Sequence, residues 1–367
     1  MAFQVYVIAF VITILFYFRY KSNRKRKINL PGPWGLPILG NVHQIDSRFY
    51  KKFVEWSQKY GPMYRVKLGG DEVVVVSDAK IAKEMYSADI FTGRMTLDGV
   101  SLYETEPHLG LVNSFGEPWE QLRRFTLRQL RDFGFGKSSM ETLIMNEVTE
   151  FIDGLDASNG KSIDNIQHRF SVAVVNALWT IVSGERYSHQ DPKLSHLTSQ
   201  VTKSFDAATN TGGLILFAPW VKHILPQLSG YNFIRTVMDQ LREFMIKTVE
   251  THKPTFVSGN SPRHFIDVFL REISSTQDPT SSFYKDVGEK QLVACISDLF
   301  FAGFDPTSKT LSWAFLYLTK WPEVQKSFKK EINSVTGGNQ RAVTIADRQN
   351  MPYTRALIEE VLRLSSL

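Results

Sequence analysis

The stretch DLFFAGFDPTSKTLSWAF, residues 298–315, places Asp305 directly before Pro306 and Thr307, with Ala302 and Gly303 just upstream. Apolar periodicity predicts a helix over 289–320, in which a proline removes one hydrogen bond and clashes with the carbonyl four residues back. That carbonyl belongs to Ala302. Released from its helical partner, it can accept a bond from water or ligand beside the Asp305 carboxylate, and helix defects of this kind recur at functional sites. Alternatively, Asp305 caps a fresh helix with Pro306 at its first position, which needs no function. A second pair, Trp119 and Arg123 in FGEPWEQLRRF, falls at i, i+4. An indole N–H and a guanidinium on one face suit a carboxylate, although a buried Trp beside a solvated Arg explains the spacing equally simply. In ALIEEVLRLSSL, Glu360 and Arg363 lie one turn apart among Leu357, Val361 and Leu364. This pattern predicts a carboxylate and a guanidinium buried together.

These residues fall in a largely helical chain. Amphipathic segments occupy about 118–132, 139–156, 161–184, 232–252, 263–273, 289–320, 322–335 and 354–366, without an internal repeat. Upstream, YRVKL and EVVVV separated by GGD read as a β-hairpin, followed by a helix that Asp78 can cap. LILFAPWVKHILP, residues 214–226, is apolar and broken by Pro219 and Pro226. It reads either as core or as a surface that dips into a membrane or lines a substrate entrance. SSTQDPTSSF, residues 274–283, is a polar loop.

The net charge of +6 is local: Arg19, Lys21, Arg24, Lys25, Arg26 and Lys27 precede the first acid, Asp46, and the remaining basic residues equal the acids in number. The balance predicts no nucleic-acid partner. The basic run follows an apolar stretch, residues 2–18, which as a helix is about 26 Å long and near the lower limit for crossing a bilayer. Charge after the apolar run, with no small-residue cleavage site, predicts a retained anchor with the rest of the chain cytosolic. LPGPWGLPILGN, residues 30–41, with Pro31, Pro33 and Pro37, reads as a stiff hinge between anchor and body. The single cysteine, Cys295, fits a reducing compartment and excludes an internal disulfide. GFGKSS lacks the first glycine of a phosphate loop, since Arg131 stands there, and neither HExxH nor GxSxG occurs.

In order along the chain, the anchor, basic stop, LPGPWGLPILGN, FTGRM, PWEQLRRF, LRDFGFGKSSME, PRHFIDVFL, FFAGFDPTSKTLSW, WPEVQKSFKKEI and DRQNMPYTRALIEEVLR resemble the cytochromes P-450. The likeness is to the microsomal family-2-type animal haem-thiolate monooxygenases, over nearly the whole chain. It implies a mostly α fold with a small β-rich N-terminal lobe and an N-terminal transmembrane anchor. The expected organisation is an anchor and basic stop over 1–29, the hinge over 30–41, and an incomplete haem-monooxygenase domain over 42–367. The implied activity is insertion of one oxygen atom of dioxygen into a lipophilic small molecule, a steroid, fatty acid or xenobiotic, at the endoplasmic reticulum membrane. The cofactor is haem b, with NADPH acting indirectly through a membrane-bound flavoprotein reductase. Arg123 and Arg128 then lie where an acidic reductase could dock, although charge on a helix is also simply solvated.

The resemblance also implies residue roles. Trp119, Arg123 and Arg94 hold haem propionates, Ala302 and Gly303 leave room for dioxygen, and Glu360 with Arg363 forms the structural ExxR pair. Two departures stand out. The family's acid is followed by Thr, whereas Asp305 is followed by Pro306, and Thr307 is offset by about 100° around the helix. The expectation is that Pro306 holds the Ala302 carbonyl open and an ordered water relays protons from Asp305; rearrangement of an already oxygenated substrate is the competing chemistry. The family's axial cysteine follows the ExxR helix, but no such loop occurs here, and Cys295 reads as a small buried residue. The resemblance therefore implies a C-terminally truncated enzyme. The other reading is a non-catalytic membrane-anchored protein that binds haem or a partner.

Overall fold

The computed structural model describes residues 30–365 except 38, 96–99, 164, 211–213 and 257–259. The described chain is mostly helical with one small antiparallel sheet, and it divides into two compact units. The first holds the described residues up to Pro107 together with Lys203–Met238, and the second holds His108–Thr202 and Asp239 onward.

In the first unit, helix α1 (Phe49–Tyr60) precedes strands β1 (Met63–Leu68) and β2 (Asp71–Val76), which pair in register from Met63 with Val76 to Leu68 with Asp71. Alternation along β1 buries Tyr64, Val66 and Leu68 against Val42 and Trp56. Asp78 caps α2 (Ala79–Tyr86) by accepting from the N–H groups of Lys80 and Ile81, both at 2.9 Å. The described residues of the proline-rich stretch 30–41 make backbone hydrogen bonds to β1: Arg65 N–H donates to the Pro31 carbonyl at 2.9 Å and Asn41 N–H to that of Lys67 at 2.5 Å. A Cβ at Gly32 would stand 2.0 Å from the Arg65 carbonyl oxygen, so close backbone approach requires glycine there.

The segment 214–226 forms two single helical turns, Leu214–Phe217 and Val221–Ile224. Ile215, Ala218 and Val221 are buried while Trp220, Ile224 and Leu225 are exposed, so it has both a core side and an apolar outer side.

The second unit contains α3 (Gly116–Asp132), α4 (Ser138–Asp156), α5 (Ile166–Ser183), α8 (Phe265–Ser275), α9 (Lys285–Lys320), α10 (Pro322–Thr336) and α11 (Pro352–Ser365). Helix α6 (Pro192–Asn210) begins in this unit and ends in the first, and α7 (Tyr231–His252) runs the other way. Sequence periodicity missed α6 because its buried stripe, Leu194, Leu197 and Val201, is narrow in a polar segment. Its start is nonetheless well marked: Asp191 accepts from the N–H groups of Lys193 and Leu194, both at 2.8 Å, with Pro192 at the first position.

Helix α9 packs most extensively on α5, and also on α8, α10 and α11. Trp179 of α5 meets Phe300 edge-on at 5.3 Å between ring centres, and Phe304 extends the cluster at 5.5 Å. This packing carries α9 unbroken through Pro306; Asp305 does not cap a new helix. Among the described residues no helix is long and apolar enough to cross a membrane, and the anchor expected at 2–18 lies outside them.

Candidate functional site

A cavity of about 820 Å³ opens between α3, α4, α5 and α9 in the second unit. Its walls are apolar: Leu130, Ile144, Phe151, Leu178, Leu311 and Phe315 contribute. Ala302, Gly303 and Thr307 lie on its α9 wall, so three of the four residues expected to carry chemistry share one cavity. Gly303 has a packing reason of its own, because a Cβ there would come within 2.7 Å of Leu178 Cδ2. The Ala302 carbonyl faces a residue without an N–H, Pro306, so it lacks the usual helical donor.

Asp305 is not among the lining residues. It is buried, and both carboxylate oxygens are engaged: Oδ1 accepts from Thr202 Oγ1 at 3.0 Å and Oδ2 from Lys309 Nζ at 2.8 Å. Trp119 and Arg123 are also absent from the lining. The guanidinium carbon of Arg123 stacks 5.2 Å from the Trp119 ring centre, with Trp119 half-buried and Arg123 exposed. Arg94 is exposed and belongs to the first unit.

The expected burial of Glu360 and Arg363 does not occur. They form a bidentate ion pair, Nε to Oε2 at 2.7 Å and Nη2 to Oε1 at 2.6 Å, with side chains 52% and 66% exposed. The Arg363 contact holds Glu360 below the usual carboxylate range. The apolar stripe on α11 buries Val361, but the ionic pair sits on a different face.

Two further groups lie outside the site residues singled out in the sequence. Glu147 is the one charged residue among those lining the cavity, and it is buried. Its carboxylate accepts from Arg186 Nε at 2.5 Å and Asn176 Nδ2 at 3.0 Å, and meets His189 Nε2 at 2.7 Å. Burial alone would raise its pKa, but the bonds from His189, Arg186 and Asn176 outweigh burial and hold it low. An acid on the apolar face of α4, three residues from Ile144 and four from Phe151, was the available signal. Asp298 accepts from the N–H groups of Leu111 at 2.6 Å and Val112 at 2.9 Å. Burial pushes its carboxyl up to about 7, although those two donors pull the other way. Nothing local to residue 298 announces partners so distant in the chain.

With this geometry in view, the comparison with known proteins is decisive: residues 30–367 match the model of the family described as Cytochrome P450. The chain belongs to the cytochrome P450 family. It is 33% identical over 361 residues to cytochrome P450 2J5 of Mus musculus, covering 97% of this chain and 70% of that protein. Against cytochrome P450 2J2 of Homo sapiens it is 33% identical over 356 residues, 95% of this chain and 68% of the other. Farnesoate epoxidase of Bombyx mori is 30% identical over 364 residues, 97% of this chain and 72% of that protein.

By family, this P450 chain is a haem-dependent monooxygenase. The donors lining the cavity do not fit haem iron. Among the described lining residues there is no Cys or His, and the one charged side chain among them, Glu147, opposes an anionic propionate. Cys295 is fully buried on α9, its sulfur 3.5 Å from Thr126 Oγ1, and burial pushes its thiol up, away from the thiolate. No reaction step through the iron is derived from these residues.

Proposed function

We propose that this polypeptide serves a P450 monooxygenase that places one oxygen atom of dioxygen into a lipophilic small molecule: a steroid, fatty acid or xenobiotic. Electrons come from NADPH through a membrane-bound flavoprotein reductase, and the cofactor is haem b. The observation that carries the reading is the family match through 30–367, with the residues of α9 named above grouped on an apolar wall. Arg94, Trp119 and Arg123 are assigned to the propionates as anion donors. Residues 1–29 are assigned as an endoplasmic reticulum anchor, leaving the remainder on the cytosolic side. Glu360 and Arg363 are assigned a structural role.

Within α9, Thr307 is the better candidate for contact with a lipophilic substrate, because it lines the apolar cavity whereas both oxygens of Asp305 are engaged elsewhere. Thr307→Ala is therefore expected to reduce turnover more than Asp305→Asn does, per folded molecule. The similarity to a farnesoate epoxidase makes an unsaturated terpenoid acid the first substrate to try.

The test is haem content and NADPH-dependent, reductase-dependent oxygenation by the native protein isolated from microsomes. Stoichiometric haem with turnover is the expected result, and haem-free protein without turnover would overturn the reading. The second reading, a non-catalytic membrane protein that binds haem or a partner, draws on the lack of Cys and His among the described cavity-lining residues.

A further inference from the structure

Around Pro306 the hydroxyls of α9 are satisfied within the helix, with one exception. Ser308 donates to the Asp305 carbonyl at 3.1 Å, Thr310 to that of Pro306 at 2.8 Å and Ser312 to that of Ser308 at 2.7 Å. The Thr307 hydroxyl makes no hydrogen bond among the described residues. Thr307 is exposed, and it stands on the α9 wall of the cavity.

Ala302 shares that wall and is also exposed. Its carbonyl has no N–H four residues on, because Pro306 stands there. An acceptor and a hydroxyl thus stand near one another on one helix without their usual partners. Helix carbonyls point towards the C-terminus and side chains lean towards the N-terminus, so atoms placed like these end about 6–7 Å apart in a regular helix. One bridging hydroxyl reaches roughly 5.5 Å between two partners. A planar head with its donor and acceptor on the same carbon adds about 2 Å and closes the gap.

The rest of the cavity leaves this pair without a competitor. Of the described lining residues only Glu147 and Thr307 carry polar side chains, and the Glu147 carboxylate is already bonded by Arg186, Asn176 and His189. Gly303, between Ala302 and Thr307, has no side chain to shield them. The other walls are hydrocarbon, and about 820 Å³ is room for a medium-length apolar chain. Such a chain without a polar head buries the Ala302 carbonyl unpartnered, which disfavours it.

We propose that the Ala302 carbonyl and the Thr307 hydroxyl form a head-group site for a lipophile ending in a neutral carboxamide. The amide N–H donates to the Ala302 carbonyl, the amide oxygen accepts from Thr307, and the hydrocarbon chain lies along the apolar walls. A carboxylic acid presents the same pattern when protonated. The inference rests on the reading of the cavity as a lipophile site and names the head group that site selects.

The test is equilibrium binding to the full chain of decanamide and of methyl decanoate, an ester of the same acyl chain that accepts but does not donate. The amide is expected to bind about tenfold more tightly, because the ester leaves the Ala302 carbonyl without a donor. Pro306→Ala restores the helical N–H to that carbonyl and should abolish the preference, while adding a better helix former. Thr307→Val should weaken both ligands about fivefold and keep the preference, and it stands as the test if the first variant does not fold. Equal affinities, a preference that survives Pro306→Ala, or undiminished binding by Thr307→Val overturns the head-group site and leaves the lipophile reading standing. Failure of both ligands to bind overturns both.

Discussion

The middle of α9 and the end of α11 carry the same kind of pair at nearly the same spacing, yet they become different structures. Asp305 and Lys309, four residues apart, make a 2.8 Å ion pair whose acid is buried and also accepts from Thr202. Glu360 and Arg363, three residues apart, make a 2.6 Å pair that faces solvent. Helical spacing makes each pair neighbours in both places. What differs is the surroundings of each acid: Asp305 is buried and turned towards Thr202 of α6, while the side chains of Glu360 and Arg363 are 52% and 66% exposed. An ion pair's energetic weight follows from that enclosure and not from its length.

Breaking the enclosed pair gives the largest expected effect. Asp305→Ala leaves Lys309 and Thr202 without their acceptor and should lower unfolding stability by about 2 kcal/mol, read by denaturant titration. A change within error would show that enclosure does not set the difference. Gly303→Val comes next. The added carbons meet Leu178 across the α9–α5 contact, and overpacking of this kind costs about 1–3 kcal/mol. If the melting temperature does not fall, the two helices are less closely fitted than the structure shows.

Acid–base behaviour sharpens the contrast within the enclosed region. Asp298 is raised to about 7, above its unfolded value of about 3.9. Its contribution is complete below about pH 4 and is lost as pH rises towards 7. Asp298→Asn should therefore remove a decline in stability between those limits, measured as the unfolding midpoint against pH. Glu147 has the opposite sign. It is lowered, so its contribution is present above the ordinary carboxylate range and disappears as the solution is acidified through its folded value. The smallest effect belongs to α11: Glu360→Gln should leave the unfolding midpoint unchanged. A clear loss of stability would mean that another surface covers the pair.

Much of this was legible in advance. The 3.6-residue periodicity located α3, α4, α7, α9 and α10 closely, and the run of β-branched residues after GGD located the hairpin. Ala302, Gly303 and Thr307 share a wall because their spacing on one helix requires them to be near one another. Asp305 was legible as an acid but not in its direction, since Thr202 fixes one oxygen from a remote segment. Glu147 is an acid on an apolar stripe, a detectable irregularity, whereas Asp298 meets its donors across 187 residues of chain.

The sequence by itself determined the helical framework, the family to which the chain belongs and the sets of side chains that must be neighbours along each helix. All of these depend on local periodicity or on ordered motifs. Only the tertiary structure decided which carboxylates are enclosed, that the backbone at Pro31 and Asn41 bonds to β1, and that His252 faces two carbonyl oxygens. Those outcomes depend on contacts between segments far apart in the chain, where desolvation and hydrogen-bond geometry act together and no local pattern records the partner.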